Sequence, residues 1–378
     1  MRPARNPLRA LLLHAGNLYG GTERVLATIA RASDPDSGLQ PSFAFTADGP
    51  IARELRESGV NPHVLGTVRL SRPDQVFRAR RALTQLIASR EFDVVITQSA
   101  WSHAVFAPAV RRVGLPLALW VHDTLRGEMW LERLAIRHRP DLLICNSRYS
   151  LECAARVFPA VRARVIHGPI QVESPSVARA VTRSRLGVAQ DSVVFVSVSR
   201  MEPYKGHRVL IEALSRIRQD VSWECWIVGG PQRPQEIAYR DELVQAAQQS
   251  GLGSRVRFLG QRRDVMDILA AADVYCHPAI EPEPFGLSIV EALHAGLPVV
   301  VSKLGGAREI VTPECGWLVD ASDVPALARR LEAIVGDAEA RARRSVSGPA
   351  RARELCDPSQ ALRALTDELQ QLTQGAAA

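Results

Sequence analysis

One stretch of the sequence concentrates residues that could do chemistry: HPAIEPEPFGLSIVEALHAGLPVVVSKLGGAREIV, residues 277–311. Glu283 and Glu291 stand there with seven residues between them. Glu283 falls in a loop behind the apolar run DVYCHP, and the spacing of Leu287, Val290 and Leu293 predicts a helix opening near Phe285 or Gly286. Backbone N–H groups at a helix start lack a partner within the helix, and Gly286 permits close approach, so this start suits an anion or a hydroxyl. Two carboxylates that accept hydrogen bonds suit a sugar at one end and a ribose diol at the other. Acidic residues near a helix start are also favoured by the macrodipole with no ligand at all. The specificity comes from FGL, LPVVVS and Gly305-Gly306 following the carboxylates in order.

A second stretch, SVSRMEPYKGH at 197–207, carries Arg200 and Lys205 on a turn behind an apolar run and ahead of a helix. A forked guanidinium and a point-charge ammonium together suit a pyrophosphate. Lys205 is one of two lysines, with Lys303, in a chain of 45 arginines, so its retention suggests that a compact charge is wanted. This is no P-loop, because the glycine follows the lysine and GxxxxGK[ST] is absent. In GNLYGGTERV (16–25), Gly20 and Gly21 allow phosphate or sugar near the backbone, and Thr22 can cap the next helix. WVHDTL (120–125) ends an apolar run with His122 and Asp123. Such a histidine can hydrogen-bond substrate or help stabilise charge, although a single histidine is more often a satisfied core residue. In CNSRYS (145–150), Asn146 and Ser147 can bind a ligand or simply cap the following helix.

Such groups need strands to hold them. Apolar runs recur at 8–15, 41–46, 93–98, 115–122, 141–146 and 163–168, then at 192–199, 225–230, 256–260, 273–278 and 297–302. Nearly continuous Val, Ile and Leu predict strands buried on both faces, and the amphipathic stretches between them predict crossover helices. This α/β alternation runs twice, giving two Rossmann-like, doubly wound domains expected to face each other across a cleft at the carboxyl ends of their strands. The expected boundaries are 1–172 for the first domain and 173–357 for the second, with a linker near 168–178. In 358–378, Leu362, Leu365, Leu369 and Leu372 predict an amphipathic helix that packs back on the first domain.

At 378 residues, with 46% hydrophobic and 23% charged residues, the chain suits two globular domains, not a disordered or fibrous protein. Six scattered cysteines without a C-x-x-C pair exclude a zinc ribbon and fit reduced thiols in a cytosolic protein. No apolar run approaches a bilayer span, and Ala10–Leu13 is too short for an export signal, so a first strand is expected there. The net charge of +7 is uneven: residues 1–175 hold 23 Arg and 15 Asp or Glu, a balance of +8, whereas residues 176–378 stand at −1. That asymmetry predicts an anionic partner for the first half. It is densest at Arg72–Arg90, where Arg78, Arg80, Arg81 and Arg90 flank the apolar face of a predicted helix. Nucleic acid is disfavoured, since no recognition motif or stacking platform accompanies the charge.

By these motifs the sequence resembles retaining glycosyltransferases of the GT-B fold, glycosyltransferase family 4. GGTERV, WVHD, NSRYS, the Arg200/Lys205 pair and EPFGLSIVEALHAGLPVV followed by GG and EIV all stand in the family's order. The resemblance implies transfer of a sugar, with retention, from a nucleoside-diphosphate sugar to a glycan or lipid-linked acceptor, as in polysaccharide or glycolipid synthesis. It implies that Glu283 contacts the donor sugar, Glu291 the nucleotide ribose, and Arg200 and Lys205 the diphosphate. Phe285, Gly286 and Leu287 would offer backbone N–H groups, while His122 and the Gly20-Gly21 loop face the reacting sugar. No cofactor is expected. The single D-x-D, Asp34-Pro35-Asp36, lies in a predicted turn poorly placed for a metal–nucleotide site, so no metal is expected either. The implied place is the cytoplasm, with peripheral attachment to an anionic membrane surface through the 72–90 region. A nucleotide-sugar epimerase or a non-catalytic binding paralogue on the same architecture are the alternatives; the missing glycine fingerprint disfavours a Rossmann oxidoreductase.

Overall fold

The computed structural model describes residues 7–33, 37–218 and 220–376; Asp34-Pro35-Asp36 falls outside them. The chain forms two compact units, one running to Gln171 and resuming at Cys356, the other spanning Val172–Leu355.

The first unit opens with β1 (Leu8–His14), α1 (Gly21–Ala32), β2 (Leu39–Phe45), α2 (Pro50–Glu57) and β3 (His63–Val64). It continues with α3 (Pro73–Ser89), β4 (Val94–Thr97), α4 (Ala100–Val113) and β5 (Leu117–Val121). α5 (Trp130–Ile136), β6 (Leu142–Cys145), α6 (Arg148–Val157) and β7 (Arg162–Val165) complete its sheet, ordered β3-β2-β1-β4-β5-β6-β7 with every pair parallel. The second unit holds α7 (Arg179–Arg185), β8 (Val193–Val198), α8 (His207–Leu214), β9 (Trp223–Val228), α9 (Pro234–Gln249) and β10 (Val256–Gly260). α10 (Val265–Ala271), β11 (Val274–His277), α11 (Leu287–His294), β12 (Val299–Ser302), α12 (Ala307–Ile310) and β13 (Gly316–Val319) follow, then α13 (Val324–Gly336) and α14 (Ala338–Cys356). Its sheet is also parallel, in the order β10-β9-β8-β11-β12-β13.

Every apolar run read from the sequence is a strand, and the continuous ones are buried on both faces: each residue of β4 and of β12 is buried. The sequence reading lacked β3 and β13, the outer strands beside β2 and β12. β3 is only His63–Val64, with Val64 44% exposed, so no apolar run marks it. In each sheet the strand order reverses, at β1/β4 and at β8/β11. Parallel sheets bind ligands at the carboxyl ends of strands beside such a reversal. The glycine loop follows β1, the Arg200–Lys205 loop follows β8, and the Glu283 loop follows β11.

α15 (Pro358–Ala376) belongs to the first unit and packs on α1, burying Leu362, Leu365 and Leu369. Glu368 on this helix takes ion pairs from Arg162 and Arg164 of β7. The basic stretch is less uniform than its sequence suggests. Pro108 inside α4 has no N–H for the carbonyl of Ala104, and Arg80 of α3 fills that position. Its Nη2 donates to Ala104 O (3.2 Å) and its Nε to Val105 O (2.6 Å). Arg80 is therefore structural, while Arg72, Arg78, Arg81 and Arg90 are exposed. No helix among the described residues is long and apolar enough to cross a membrane.

Candidate active site

The second unit builds its site from two loops that lock together. β8 runs into a 3-10 turn at Pro203–Lys205, closed by Gly206 at φ +76°. A Cβ on Gly206 would lie 1.8 Å from Pro278 O, so only glycine lets the cationic loop seat against the loop behind β11. Ile280 N–H donates to Tyr204 O across the same junction, at 2.8 Å.

Lys205 and Glu283 meet there. Lys205 Nζ lies 2.5 Å from Glu283 Oε1, and His277 Nε2 lies 2.9 Å from the same oxygen. Both acid and ammonium are largely buried, with side-chain exposures of 8% and 14%. Burial alone would push the Glu283 carboxyl up; the Lys205 ammonium and then the His277 ring outweigh it and hold the group well below the usual carboxylate range. Lys205 Nζ also sits over the Tyr204 ring, 4.8 Å from its centroid. Arg200 pairs with Glu202 at 2.9 Å, so each cation on this loop already has a carboxylate partner.

A second glycine fixes Glu283 from behind. Gly305 adopts φ +56°, and a Cβ there would lie 2.2 Å from Glu283 O. Gly306 N–H donates to that same carbonyl at 2.8 Å. The Gly-Gly pair thus cradles the backbone of the acid.

Gly286 precedes α11, as the sequence spacing predicts, and Phe285 beside it is buried. Glu291 is buried in α11, a little over one turn from its start, whereas Glu283 is outside the helix. The two acids flank Tyr275: burial first, then the charges of Glu291 and Glu283, push its phenol far up, against a hydrogen bond to Ser288 Oγ (2.8 Å). Tyr275 stacks on His277, with centroids 6.2 Å apart and planes at 9°. Sequence reasoning passed over His277 and Tyr275; their position in the strand just before the Glu283 loop was the available signal.

The first unit collects its polar groups at the carboxyl ends of β1, β4, β5 and β6. His14 ends β1, and its Nε2 lies 2.7 Å from Glu23 Oε1 on α1. Glu23 Oε2 accepts the Gly20 N–H at 2.9 Å. Gly20 is the residue before α1, so Thr22 lies inside the helix and does not cap it; Glu23 supplies the capping side chain instead. Glu three residues after Gly20 was the missed signal. Burial raises the Glu23 carboxyl, but the hydrogen bonds from His14 and from backbone N–H groups more than offset it, and the group ends below its ordinary value.

His122 follows β5, stacks on Trp120 (5.3 Å, 23°) and shares a 2.9 Å hydrogen bond between Nε2 and Gln98 Oε1. Burial, aided by nearby His14, lowers its pKa to about 3. The ring is therefore neutral at pH 7 and offers hydrogen bonds. Asp123 beside it is exposed. Ser147 caps α6, its Oγ accepting Ser150 N–H at 2.9 Å, and Asn146 Oδ1 accepts Ser150 Oγ–H at 2.5 Å. Of the two readings of these residues, the capping one describes what their side chains do here.

Known proteins resemble this chain in sequence and fold. Residues 19–174 match the family model described as Glycosyltransferase Family 4, and residues 179–351 match Glycosyl transferases group 1. A GDP-mannose-dependent monoacylated alpha-(1-6)-phosphatidylinositol monomannoside mannosyltransferase of Corynebacterium glutamicum is 32% identical over 292 residues, 71% of this chain and 74% of that protein. A D-inositol 3-phosphate glycosyltransferase of the same species is 34% identical over 182 residues, 46% of this chain. That match spans only 43% of the inositol enzyme, and the one to its Xylanimonas cellulosilytica counterpart spans 53%. Among solved structures, Anabaena HepE in complex with UDP and glucose superposes with a TM-score of 0.85 at 28% identity, covering 96% of this chain and 100% of that one. Two consecutive family matches and a relative aligned over 74% of its length show the family: the chain belongs to glycosyltransferase family 4 and has the GT-B fold.

Proposed function

We propose that this protein moves a hexosyl group from a nucleoside-diphosphate sugar to a hydroxyl of a glycolipid or glycan acceptor, with retention of configuration. The observation that carries this reading is the buried Lys205–Glu283 pair, set on two loops at the switch point of the second sheet. Breaking the anomeric bond leaves negative charge on the departing diphosphate. Lys205, with donors left over after Glu283, and Arg200 are assigned to that charge, and the first N–H groups of α11 add to it. Glu283 is held ionised with both contacts on Oε1, which suits Oε2 to accept a sugar hydroxyl. Glu291 is assigned to the ribose and His122 to a hydroxyl of the reacting sugar. With fixed cations at the leaving group, the reaction is proposed to need no divalent metal, and attack to occur on the face the diphosphate leaves.

The nucleotide sugars named for relatives, GDP-mannose for one and UDP-glucose for another, support a donor of this class without choosing the base. A thermal-shift screen of UDP, GDP and ADP sugars identifies it, because a ligand that binds the folded state raises the melting temperature. Transfer is then followed with the stabilising donor and lipid-linked acceptors, in buffer with and without EDTA, and the product anomer read by NMR. Conversion of the donor sugar without acceptor would indicate an epimerase instead, and inversion or EDTA sensitivity would refute those parts of the proposal.

The exposed face of α3, with Phe77 66% exposed beside Arg78 and Arg81, is proposed to rest on an anionic membrane surface at the cytoplasmic face. Equal sedimentation with neutral and anionic vesicles would refute it.

A further inference from the structure

Among the described residues of the first unit, the buried polar atoms that lack a hydrogen-bond partner include His14 Nδ1, Gln98 Nε2 and Trp120 Nε1. They lie on neighbouring strands. β1 pairs with β4 at Leu13↔Thr97, and β4 with β5 at Thr97↔Leu119. Leu11, Leu13 and Val95 pack in the core beneath α3 and α4, and Leu119 packs with Ala104 of α4. Side chains alternate along a strand, so His14, Gln98, Trp120 and His122 project together from the opposite face.

The polarity around two of these atoms is set by their neighbours. Glu23 is a carboxylate and can only accept, so His14 Nε2 donates to it, while the buried Nδ1 has no partner. His122 is neutral, and its Nε2 faces Gln98 Oε1, so the ring donates and the Gln98 NH2 points elsewhere. The Gln98 amide donor therefore neighbours a ring nitrogen that also lacks a partner. We infer that Gln98 and His14 are positioning residues, with His14 Nδ1 as an acceptor coupled to the Gln98 NH2 through one water, in an oriented chain from Glu23 through His14 and Gln98 to His122. The chain fixes His122 with its proton on Nε2 and leaves Nδ1 as a bare acceptor. A bare acceptor receives a hydrogen bond from a hydroxyl and repels a phosphate oxygen, so the chain makes His122 selective for the hydroxyl of a sugar. This rests on the role proposed above for His122.

The test uses the whole chain labelled with 15N-histidine, its ring signals read at pH 7 and those of His14 and His122 assigned by their loss in His14→Gln and His122→Gln. The expected result is a neutral Nε2–H tautomer for both His14 and His122 in the wild type. Gln98→Leu is expected to give mixed tautomers at His122 and a roughly tenfold lower kcat, with KM for the donor changed less than about twofold. An Nδ1–H tautomer or an imidazolium at either ring in the wild type overturns the chain. So does an unchanged His122 signal in Gln98→Leu. Wild-type turnover in His122→Gln would instead overturn the role assigned to His122, while the ring spectra still decide whether the chain exists.

Discussion

Alanine at Gly305 would add one carbon at the point where the site has least room. The cost has three parts. Left-handed backbone at φ +56° is unfavourable for alanine by about 1 kcal/mol. The new Cβ would stand 2.2 Å from Glu283 O and 2.7 Å from Glu283 N, so the two segments must part by about 1 Å to reach an ordinary carbon–oxygen contact. Parting them strains the 2.8 Å bond from Gly306 N–H to Glu283 O, which contributes about 0.5–1.5 kcal/mol. Together these lower the unfolding free energy by about 2–4 kcal/mol. A reacting group misplaced by about 1 Å loses about 100-fold in rate, so turnover should fall far more than stability alone explains. Gly187→Ala is the control: Gly187 has φ +64°, is exposed, and its Cβ would meet nothing within 4 Å. It should cost about 1 kcal/mol in urea unfolding and leave initial rates unchanged. If folded Gly305→Ala turned over within about twofold of the wild type, the close approach of Gly305 would not be what positions Glu283.

Lys205→Met and Glu283→Gln should each lower turnover by at least about 100-fold, or ~2.7 kcal/mol. Lys205→Met should also destabilise, because it removes the cation beside a buried carboxylate; the double variant should regain that stability in urea melts without regaining activity. The depressed Glu283 carboxyl fixes a sign for acid sensitivity. Its contribution is complete above the ordinary value of 4.5 and is lost as pH falls from there toward the lower folded value, so the stability gap between wild type and Glu283→Gln should shrink below about pH 4. A gap that stays constant from neutral pH down to about pH 3 would contradict the ion pair. Arg80→Ala should cost about 2 kcal/mol by exposing the α4 carbonyls to an unfilled gap, whereas Arg78→Ala, which breaks only an exposed pair with Asp74, should cost under about 0.5 kcal/mol. Calorimetry of both variants distinguishes the structural arginine from the solvated one.

The sequence disclosed what is local and withheld what depends on pairing. Strands covered on both faces announce themselves as runs such as VVIT and VVVS, and the order of those runs was enough for two parallel sheets. The two-residue β3 has no such run, because an outer strand half open to water needs none. Motif order also marked Lys205 and Glu283, 78 residues apart, but not that they touch, nor that His277 shares the same oxygen. Gly206 and Gly305 were visible as letters, while the carbonyls of Pro278 and Glu283 that require them come from other segments. Thr22 misled for a related reason: a hydroxyl beside a helix start is a good cap only if it precedes the first turn, and here the helix opens one residue earlier at Gly21.

The lysine gains its meaning from that geometry. An arginine at position 205 would present a planar fork, best matched by one carboxylate in its own plane. The surroundings of Lys205 instead lie in different directions, with Glu283 Oε1 at 2.5 Å and the face of Tyr204 at 4.8 Å. A single nitrogen with three rotating donors can hold the acid, lie over the ring and still turn a proton toward a third group. The acid gains equally, since a carboxylate this buried stays ionised before any ligand arrives only beside a fixed cation. Arg200 is the more open of the two cations, with 32% of its side chain exposed, and its partner Glu202 also takes a hydrogen bond from Tyr204. Arg200 can therefore turn toward a phosphate while Glu202 keeps a donor. Lys205 has no such freedom, because among the groups around Glu283 its charge does most to keep that acid ionised. In a chain that uses arginine for nearly every positive charge, the two cations of this loop thus differ in kind: one is exchangeable, and the other is fixed in place with the acid it keeps charged.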